Sequence, residues 1–272
     1  MGLSLIGDQR EHLLPVFHGS GANGKSVFTN TVQAALGEYA HTAPHGFLMT
    51  KHNDEHPTAL ADLFGKRLVI ISETKDGQRL DEGLVKSITG GDRIRARRMR
   101  QDHWEFVPSH LAILVSNHKP VISGTDNGIW RRLRLIPFVV TIPPENQDRD
   151  LCEKLRSELP GILKWMVDGC VQWRASGLQE PPTVTDATAE YRVDSDAVAT
   201  WLAECAIWDA SHEIRAREAY QDYVSWCQAS GEHPMTQRSF GQRLKEKGVK
   251  TRKSNGVWYV GIRLAGGLSP VI

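Results

Sequence analysis

The plainest chemistry in the chain lies in one uninterrupted run, Phe17-His18-Gly19-Ser20-Gly21-Ala22-Asn23-Gly24-Lys25-Ser26, which fits the pattern G-x-x-x-x-G-K-[ST] without a mismatch. Glycines at 19, 21 and 24 let the backbone curl so that successive N–H groups point at phosphate oxygens, and Lys25 adds a positive charge. The residues expected to cradle a ligand are therefore Gly19, Ser20, Gly21, Ala22, Asn23, Gly24, Lys25 and Ser26. The ligand is expected to be a nucleotide triphosphate, with Mg²⁺ held by the Ser26 hydroxyl. A carboxylate, Glu73, follows the run Leu68-Val69-Ile70-Ile71-Ser72. Beside a triphosphate such an acid holds Mg²⁺ through water or orients the attacking water, so Glu73 is the expected catalytic base and second metal contact. Asn117 ends another apolar run; a neutral amide there can hydrogen-bond the attacking water without adding negative charge. Arg131 and Arg132 are the candidates for neutralising charge that develops on the transferred phosphoryl group.

Those side chains need a frame that brings them to one edge. Leu13 to Phe17 reads as a short buried strand and Ser26 to Leu36 as a helix, which puts the anion at a helix N-terminus. Lys66 to Glu73 and Leu111 to Asn117 are continuous branched runs of the kind found in strands buried on both faces, and Leu133 to Val140 is a further strand. A polar residue ending each such strand lies at the carboxyl edge of a parallel sheet, where α/β proteins bind ligands. Short helices are expected at Thr58 to Phe64 and, with apolar residues at Leu80, Leu84, Val85 and Ile88, up to the stop at Gly90-Gly91. The fold class is thus α/β, with a mainly parallel sheet.

Between the second and third of these strands, Asp92 to Pro108 is rich in arginine and then alternates aromatic residues, which predicts a β-hairpin with a basic tip. Arg97, Arg98, Arg100 and His103 there, and Lys86 on the preceding helix, are candidates for phosphate contact with DNA. Beyond Pro143-Pro144, Asp148 to Ser176 has apolar residues at helical spacing and predicts a helical pair packed on the core, with Trp165 and Trp173 as packing residues. Gly177 to Thr183, with Pro181-Pro182, reads as a linker. Helices are expected after it at Thr185 to Tyr191, Ser195 to Ala206, Arg215 to Ser230 and Thr236 to Lys247. Strands follow at Val249 to Arg252 and Val257 to Leu264, joined by a tight Asn255-Gly256 turn. Helices followed by a two-stranded wing predict a small winged-helix domain in which Arg243, Lys245, Arg252 and Lys253 contact duplex DNA. The expected organisation is a core over residues 1–145, a helical extension and linker over 146–182, and the winged-helix domain over 183–272.

Taken in order, the phosphate loop, the strand ending in Glu73, Lys86-Ser87-Ile88-Thr89-Gly90-Gly91-Asp92, Asn117-His118-Lys119-Pro120 and Trp130-Arg131-Arg132 resemble the superfamily 3 helicase domain, and more closely the primase-helicases of phages, plasmids and poxviruses. The resemblance implies an AAA+ ATPase that assembles as a homo-oligomer, usually a hexameric ring, around single-stranded DNA. It implies motif A at Gly24, Lys25 and Ser26, motif B at Glu73, a DNA-gripping hairpin near residues 97–103, motif C at Asn117 and an arginine finger at Arg131 or Arg132. Many members have adjacent acids in motif B, whereas Ser72 precedes Glu73 here. Larger relatives also carry an N-terminal primase region, so primer synthesis is not expected of this stretch and a separate primase is an expected partner.

Composition narrows the field without choosing within it. The chain has 272 residues, 40% of them hydrophobic, enough to bury a real core. Lys plus Arg (33) nearly balance Asp plus Glu (32), so a nucleic-acid footprint must come from local clusters and not from the net charge of +1. No apolar run approaches the length of a membrane span and no signal region follows Met1, which makes the cytoplasm the expected location. The four cysteines are scattered, without a C-x-x-C pair, and are expected as buried reduced thiols. His52-Asn53-Asp54-Glu55-His56 matches H-x-x-E-H, but Pro57 and the aperiodic polar surroundings predict a loop and no zinc site. An ATP-switched DNA-binding replication factor without unwinding activity is the main alternative. A small-molecule kinase would have no use for an arginine-rich hairpin or a winged helix.

Overall fold

The computed structural model describes residues 1–50, 58–73, 75–122 and 127–265. The chain forms two compact units, Met1–Tyr191 and Arg192–Ile272. The first is built on a sheet of strands β1 (Leu14–His18), β2 (Ala40–Thr42), β3 (Leu68–Glu73), β6 (Leu111–Ser116) and β7 (Leu133–Pro137) in the order β2-β3-β6-β1-β7. All four pairings are parallel. The branched runs predicted to be strands buried on both faces occupy the centre: Leu68, Val69, Ile71 and Leu114 are fully buried, with one apolar cluster on each side of the sheet. Sequence reading passed over β2, a short edge strand of mixed polarity with no buried position.

Helix α1 (Lys25–Leu36) leaves the C-terminal end of β1 and stops at Gly37, whose φ of 53° suits a residue without Cβ. Helix α2 (Thr58–Ala61) is a single turn. Helix α3 (Glu82–Thr89) is started by Asp81, whose carboxylate accepts from the Leu84 amide at 2.9 Å. The predicted hairpin follows as β4 (Ile94–Ala96) and β5 (Trp104–Phe106), with Arg95 opposite Glu105. Its base is an aromatic cluster in which Phe64 meets Trp104 and Phe106 edge to face at 4.9 and 5.6 Å.

After the one-turn helix α4 (Asn127–Trp130) and β7 come α5 (Leu151–Ser157) and α6 (Leu159–Ser176), the predicted helical pair. Of the residues of α6 only Met166 is buried; Leu163, Val167 and Val171 stay exposed. The expectation of two packing tryptophans holds only for Trp173, which is half-buried and donates to Glu11 Oε1 at 2.6 Å. Trp165 is 53% exposed.

Helix α7 (Pro182–Asp194) belongs to the first unit as far as Tyr191. The boundary expected after residue 182 therefore falls one helix later, because Ala187 and Tyr191 pack into the core of the sheet. The second unit runs α8 (Ala197–Cys205), β8 (Ala206–Arg215), α9 (Ala216–Ala229), α10 (Gln237–Glu246), β9 (Lys250–Lys253) and β10 (Val257–Leu264). Its sheet is antiparallel, ordered β8-β10-β9, so the predicted pair of strands is joined by a third. Only Ile214 is buried on β8, and the strand therefore has no apolar alternation to announce it. The unit closes on its own core around Trp201, Tyr223 and Phe240, with the last two rings stacked at 4.6 Å. Of the cysteines, Cys227 is buried as expected, Cys170 and Cys205 are half-buried, and Cys152 on α5 is exposed. No described helix is long and apolar enough to cross a membrane.

Candidate functional site

Strand register builds the site. His18 on β1 pairs with Ser116 on β6, Ser116 pairs with Glu73 on β3, and His18 pairs on its other side with Pro137 of β7. Glu73, Ser116 and His18 thus end adjacent strands in one row, which puts the Glu73 Cα about 10 Å from that of His18. Asn117 is the next residue after Ser116, exposed at the same edge. The carboxyl edge therefore brings together the phosphate loop, the acid and the amide that sequence spacing had singled out.

The loop itself is tightly clamped. Gly21 (φ 110°), Ala22 (φ 46°) and Gly24 (φ 83°) are left-handed, and α1 begins at Lys25, immediately after the last of them. On one side the loop is tied to the chain leaving β7: Phe138 N donates to His18 O at 2.7 Å, Asn23 Nδ2 to Phe138 O at 3.0 Å, and Ile142 N to Ala22 O at 2.7 Å. Lys25 is buried, and its Nζ donates to Gly19 O at 2.6 Å and to Asn23 Oδ1 at 3.0 Å. Burial lowers its pKa, a cost that a bound phosphate would offset. Ser26, on the first turn of α1, is exposed.

Glu73 is buried, and its Oε1 accepts from the Lys75 amide at 2.9 Å, which holds the carboxylate at the strand end. Ser116 Oγ donates to His118 O at 2.6 Å and accepts from His118 N at 3.1 Å, shaping the turn that displays Asn117. His18 has its pKa lowered by burial first and then by the charges of Lys119 and Lys25. Two cationic side chains therefore act on the row, and Lys119 has no expected role on sequence grounds. Among the described residues no three His, Cys, Asp or Glu side chains gather as a metal cluster. A hard cation that takes most of its oxygens from phosphate and water needs only one carboxylate and a hydroxyl, and Glu73 with Ser26 fits that demand. Residues 51–57, with the H-x-x-E-H match, lie outside the described residues.

A cavity of about 580 Å³ adjoins the loop. Its walls include Ala22 and Gly24 of the loop, Val27 and Phe28 of α1, Gln147 and Trp165. The sequence does not announce it, because its walls come from separate elements that only the fold brings together.

The two arginine candidates part company. Arg132 is buried; its Nε donates to Thr89 Oγ1 at 3.1 Å and its Nη1 to Gly128 O at 2.6 Å, so it fastens α4 to the end of α3. Arg131 is exposed. In the hairpin, Arg98, Arg100 and His103 are exposed at the tip with Met99, while Arg97 is half-buried and its Nε has no hydrogen-bond partner among the described residues. Lys86 is half-buried on α3. In the second unit Lys245 and Lys253 are exposed and Arg243 is half-buried. Arg252 of β9 is committed to Glu213 of β8 on the same face of the sheet, its Nε and Nη2 donating to the two carboxylate oxygens, and it lies 5.9 Å from the Trp258 ring.

Residues 17–132 match a family of unknown function (DUF5906), and residues 193–258 match the family described as Poxvirus D5 protein-like. The chain is also similar to proteins named as helicases and primases of large DNA viruses. One such relative is "Putative helicase L207/L206" of Acanthamoeba polyphaga mimivirus, 29% identical over 243 residues that cover 82% of this chain and 25% of that one. "Putative helicase 184R" of Invertebrate iridescent virus 6 is 27% identical over 81% of this chain and 27% of its own. "Putative primase C962R" of African swine fever virus is 28% identical over 81% of this chain and 25% of its own. The chain thus spans about a quarter of the length of these relatives. In fold it is similar to the apo NrS-1 C terminal region, with a TM-score of 0.54 at 12% identity over 93% of this chain and 68% of the other.

Proposed function

We propose that the chain is the ATP-hydrolysing motor portion of a superfamily 3 DNA helicase with an AAA+ core, serving replication of a phage, prophage or plasmid. The observation that carries the proposal is the single row formed by Glu73, Ser116 and His18 beneath a phosphate loop whose helix starts at Lys25. ATP would place its phosphates against the backbone of Gly19 to Ser26, with Lys25 exchanging its bonds to Gly19 and Asn23 for phosphate oxygens. The base would enter the adjoining cavity beside Phe28 and Trp165, where its exposed indole gains cover. Ser26 and Glu73 would hold Mg²⁺, which would supply charge neutralisation on the phosphates. Glu73 takes the proton of the attacking water, and Asn117 orients that water without opposing the triphosphate charge. Arg131, lent by a neighbouring copy in a hexameric ring, stabilises the developing charge; Arg132 holds its turn in place.

The basic hairpin between β4 and β5 follows α3 and is joined in sequence to both the Glu73 and Asn117 strands, so nucleotide state can reach a tip that grips single-stranded DNA. The second unit, three helices with a three-stranded antiparallel sheet, supports a winged-helix module, with Lys245 and Lys253 toward duplex DNA. A separate primase is a further partner on this reading. The test is strand separation on a forked duplex. ATP should drive it and a non-hydrolysable analogue should not; ATP turnover with no separation under any fork geometry would favour the ATP-switched binding factor.

A further inference from the structure

Tyr191 closes the first unit at the end of the helix that lines the open edge of β7. The segment is fastened there by Arg134 Nε donating to Glu180 Oε1 at 2.5 Å and by the Leu135 amide donating to Thr188 Oγ1 at 2.9 Å. Tyr191 is 3% exposed, and among the described residues its side chain meets Pro120, Trp130 and Lys119. Its hydroxyl donates to the carbonyl oxygen of Pro120. Its ring stands edge to face with Trp130, centroids 5.3 Å apart at 80°. Lys119 Nζ lies 5.6 Å from its centroid.

These contacts gather at the chemistry from two directions. Lys119 and Pro120 belong to the turn that begins at Asn117, and Trp130 is the residue before Arg131. Proline has no N–H, so its carbonyl is the only main-chain group by which residue 120 can be tethered. At the near end of that turn Ser116 Oγ holds His118; at the far end Tyr191 holds Pro120. The same ring that fixes the amide's turn thus also braces the arginine's.

We propose that Tyr191 is a positioning residue, one that sets the Asn117 turn and the Arg131 turn in a single geometry. In a ring, Asn117 serves the chain's own ATP and Arg131 serves a neighbour's, so Tyr191 makes the readiness of one site depend on the other. The inference rests on the ATP-hydrolase reading given above. It requires no direct contact between Tyr191 and nucleotide, which separates it from the roles of Lys25 and Glu73.

Tyr191→Phe keeps the ring against Trp130 and removes only the hydroxyl, so the core is retained. In the full chain we expect kcat for ATP to fall roughly tenfold to a hundredfold, the scale of a misplaced catalytic group, while KM and the affinity for a fluorescent ATP analogue stay within about twofold. Thr188→Val loosens the same helix on β7 but leaves the hydroxyl bond to Pro120, and it should keep the parental kcat. Thermal melting of both variants shows whether each is folded at the assay temperature. A Tyr191→Phe enzyme with parental kcat overturns the proposal, and so does a Thr188→Val enzyme that loses as much. Lys25→Ala tells the two levels apart: turnover in the parent no higher than in Lys25→Ala removes the ATP-hydrolase reading and this proposal with it, whereas normal dependence on Lys25 with no effect at Tyr191 removes the tyrosine's role alone.

Discussion

Gly19→Ala tests how the phosphate loop is held. A Cβ built at Gly19 would overlap both the carbonyl oxygen of Phe138 and Nδ2 of Asn23, and the Phe138 carbonyl carbon would be only 3.2 Å away. Neither obstacle is a loose end. Phe138 is main chain, fixed by its own amide to His18 O, and Asn23 Nδ2 is the donor that ties the loop back to Phe138 O. The loop must therefore lift away from the chain leaving β7, losing the Asn23 bond and the Lys25 contact that depends on it. Overpacking of this kind costs about 1–3 kcal/mol of stability. Displacing the backbone donors should weaken ATP binding by more than about tenfold, equivalent to ~1.4 kcal/mol. Gly91→Ala is the control, since a Cβ there meets nothing within 4 Å. Titration calorimetry with ATP analogue and urea unfolding would measure both quantities. A Gly19→Ala protein that binds nucleotide as tightly as the parent would refute the clamp, and with it the account of why glycine stands at the start of the loop.

Further outcomes follow from named contacts. Arg131→Ala should lose on the order of a thousandfold in turnover at parental stability, whereas Arg132→Ala should lose ~1–3 kcal/mol of stability through its buried bonds to Thr89 and Gly128; the reverse pattern in turnover and unfolding assays would exchange their roles. Replacing Arg98 and Arg100 by Ala should weaken single-strand binding and flatten its salt dependence by roughly one unit per lost phosphate contact, leaving DNA-free ATP turnover unchanged. His110 is buried, with neither ring nitrogen hydrogen-bonded among the described residues, and burial, aided by the charge of His41, pushes its pKa down to about 4 from 6.5. The fold holds this ring neutral, so its contribution is complete above the unfolded pKa of 6.5 and is lost as pH falls towards 4, by on the order of 3 kcal/mol. Urea unfolding at several pH values should show that loss, and His110→Phe should flatten it; an unchanged pH profile in the variant would clear His110 of the effect.

What could be read in advance followed from how strongly each feature is written locally. The strands ending in Glu73 and Ser116 are continuous apolar runs because both of their faces are covered, and the Asn255-Gly256 turn is dictated by left-handed backbone at 47° and 121°. The phosphate loop is legible because its glycines serve backbone geometry and not packing. β8 was illegible for the opposite reason: it buries only Ile214, and its place comes from pairing with β10. The choice between Arg131 and Arg132 could not be made from adjacent identical residues; it depends on which one meets Thr89. Tyr191 ended a helix expected to belong to the second domain, and only the tertiary contact with Pro120 and Trp130 shows which unit it serves. The cavity beside Phe28 and Trp165 was hidden likewise, since α1 and α6 are far apart in the chain.

The central claim is that Glu73, at the head of its row beside the phosphate loop, is the base for ATP hydrolysis. Glu73→Gln keeps the size and hydrogen-bonding capacity of the side chain and removes its basicity. Binding of ATP and its turnover should therefore be measured on the same preparation, with single-stranded DNA present. The account predicts nucleotide affinity close to the parent's and no turnover above the level of Lys25→Ala; a Glu73→Gln protein that hydrolyses ATP at the parental rate would contradict it.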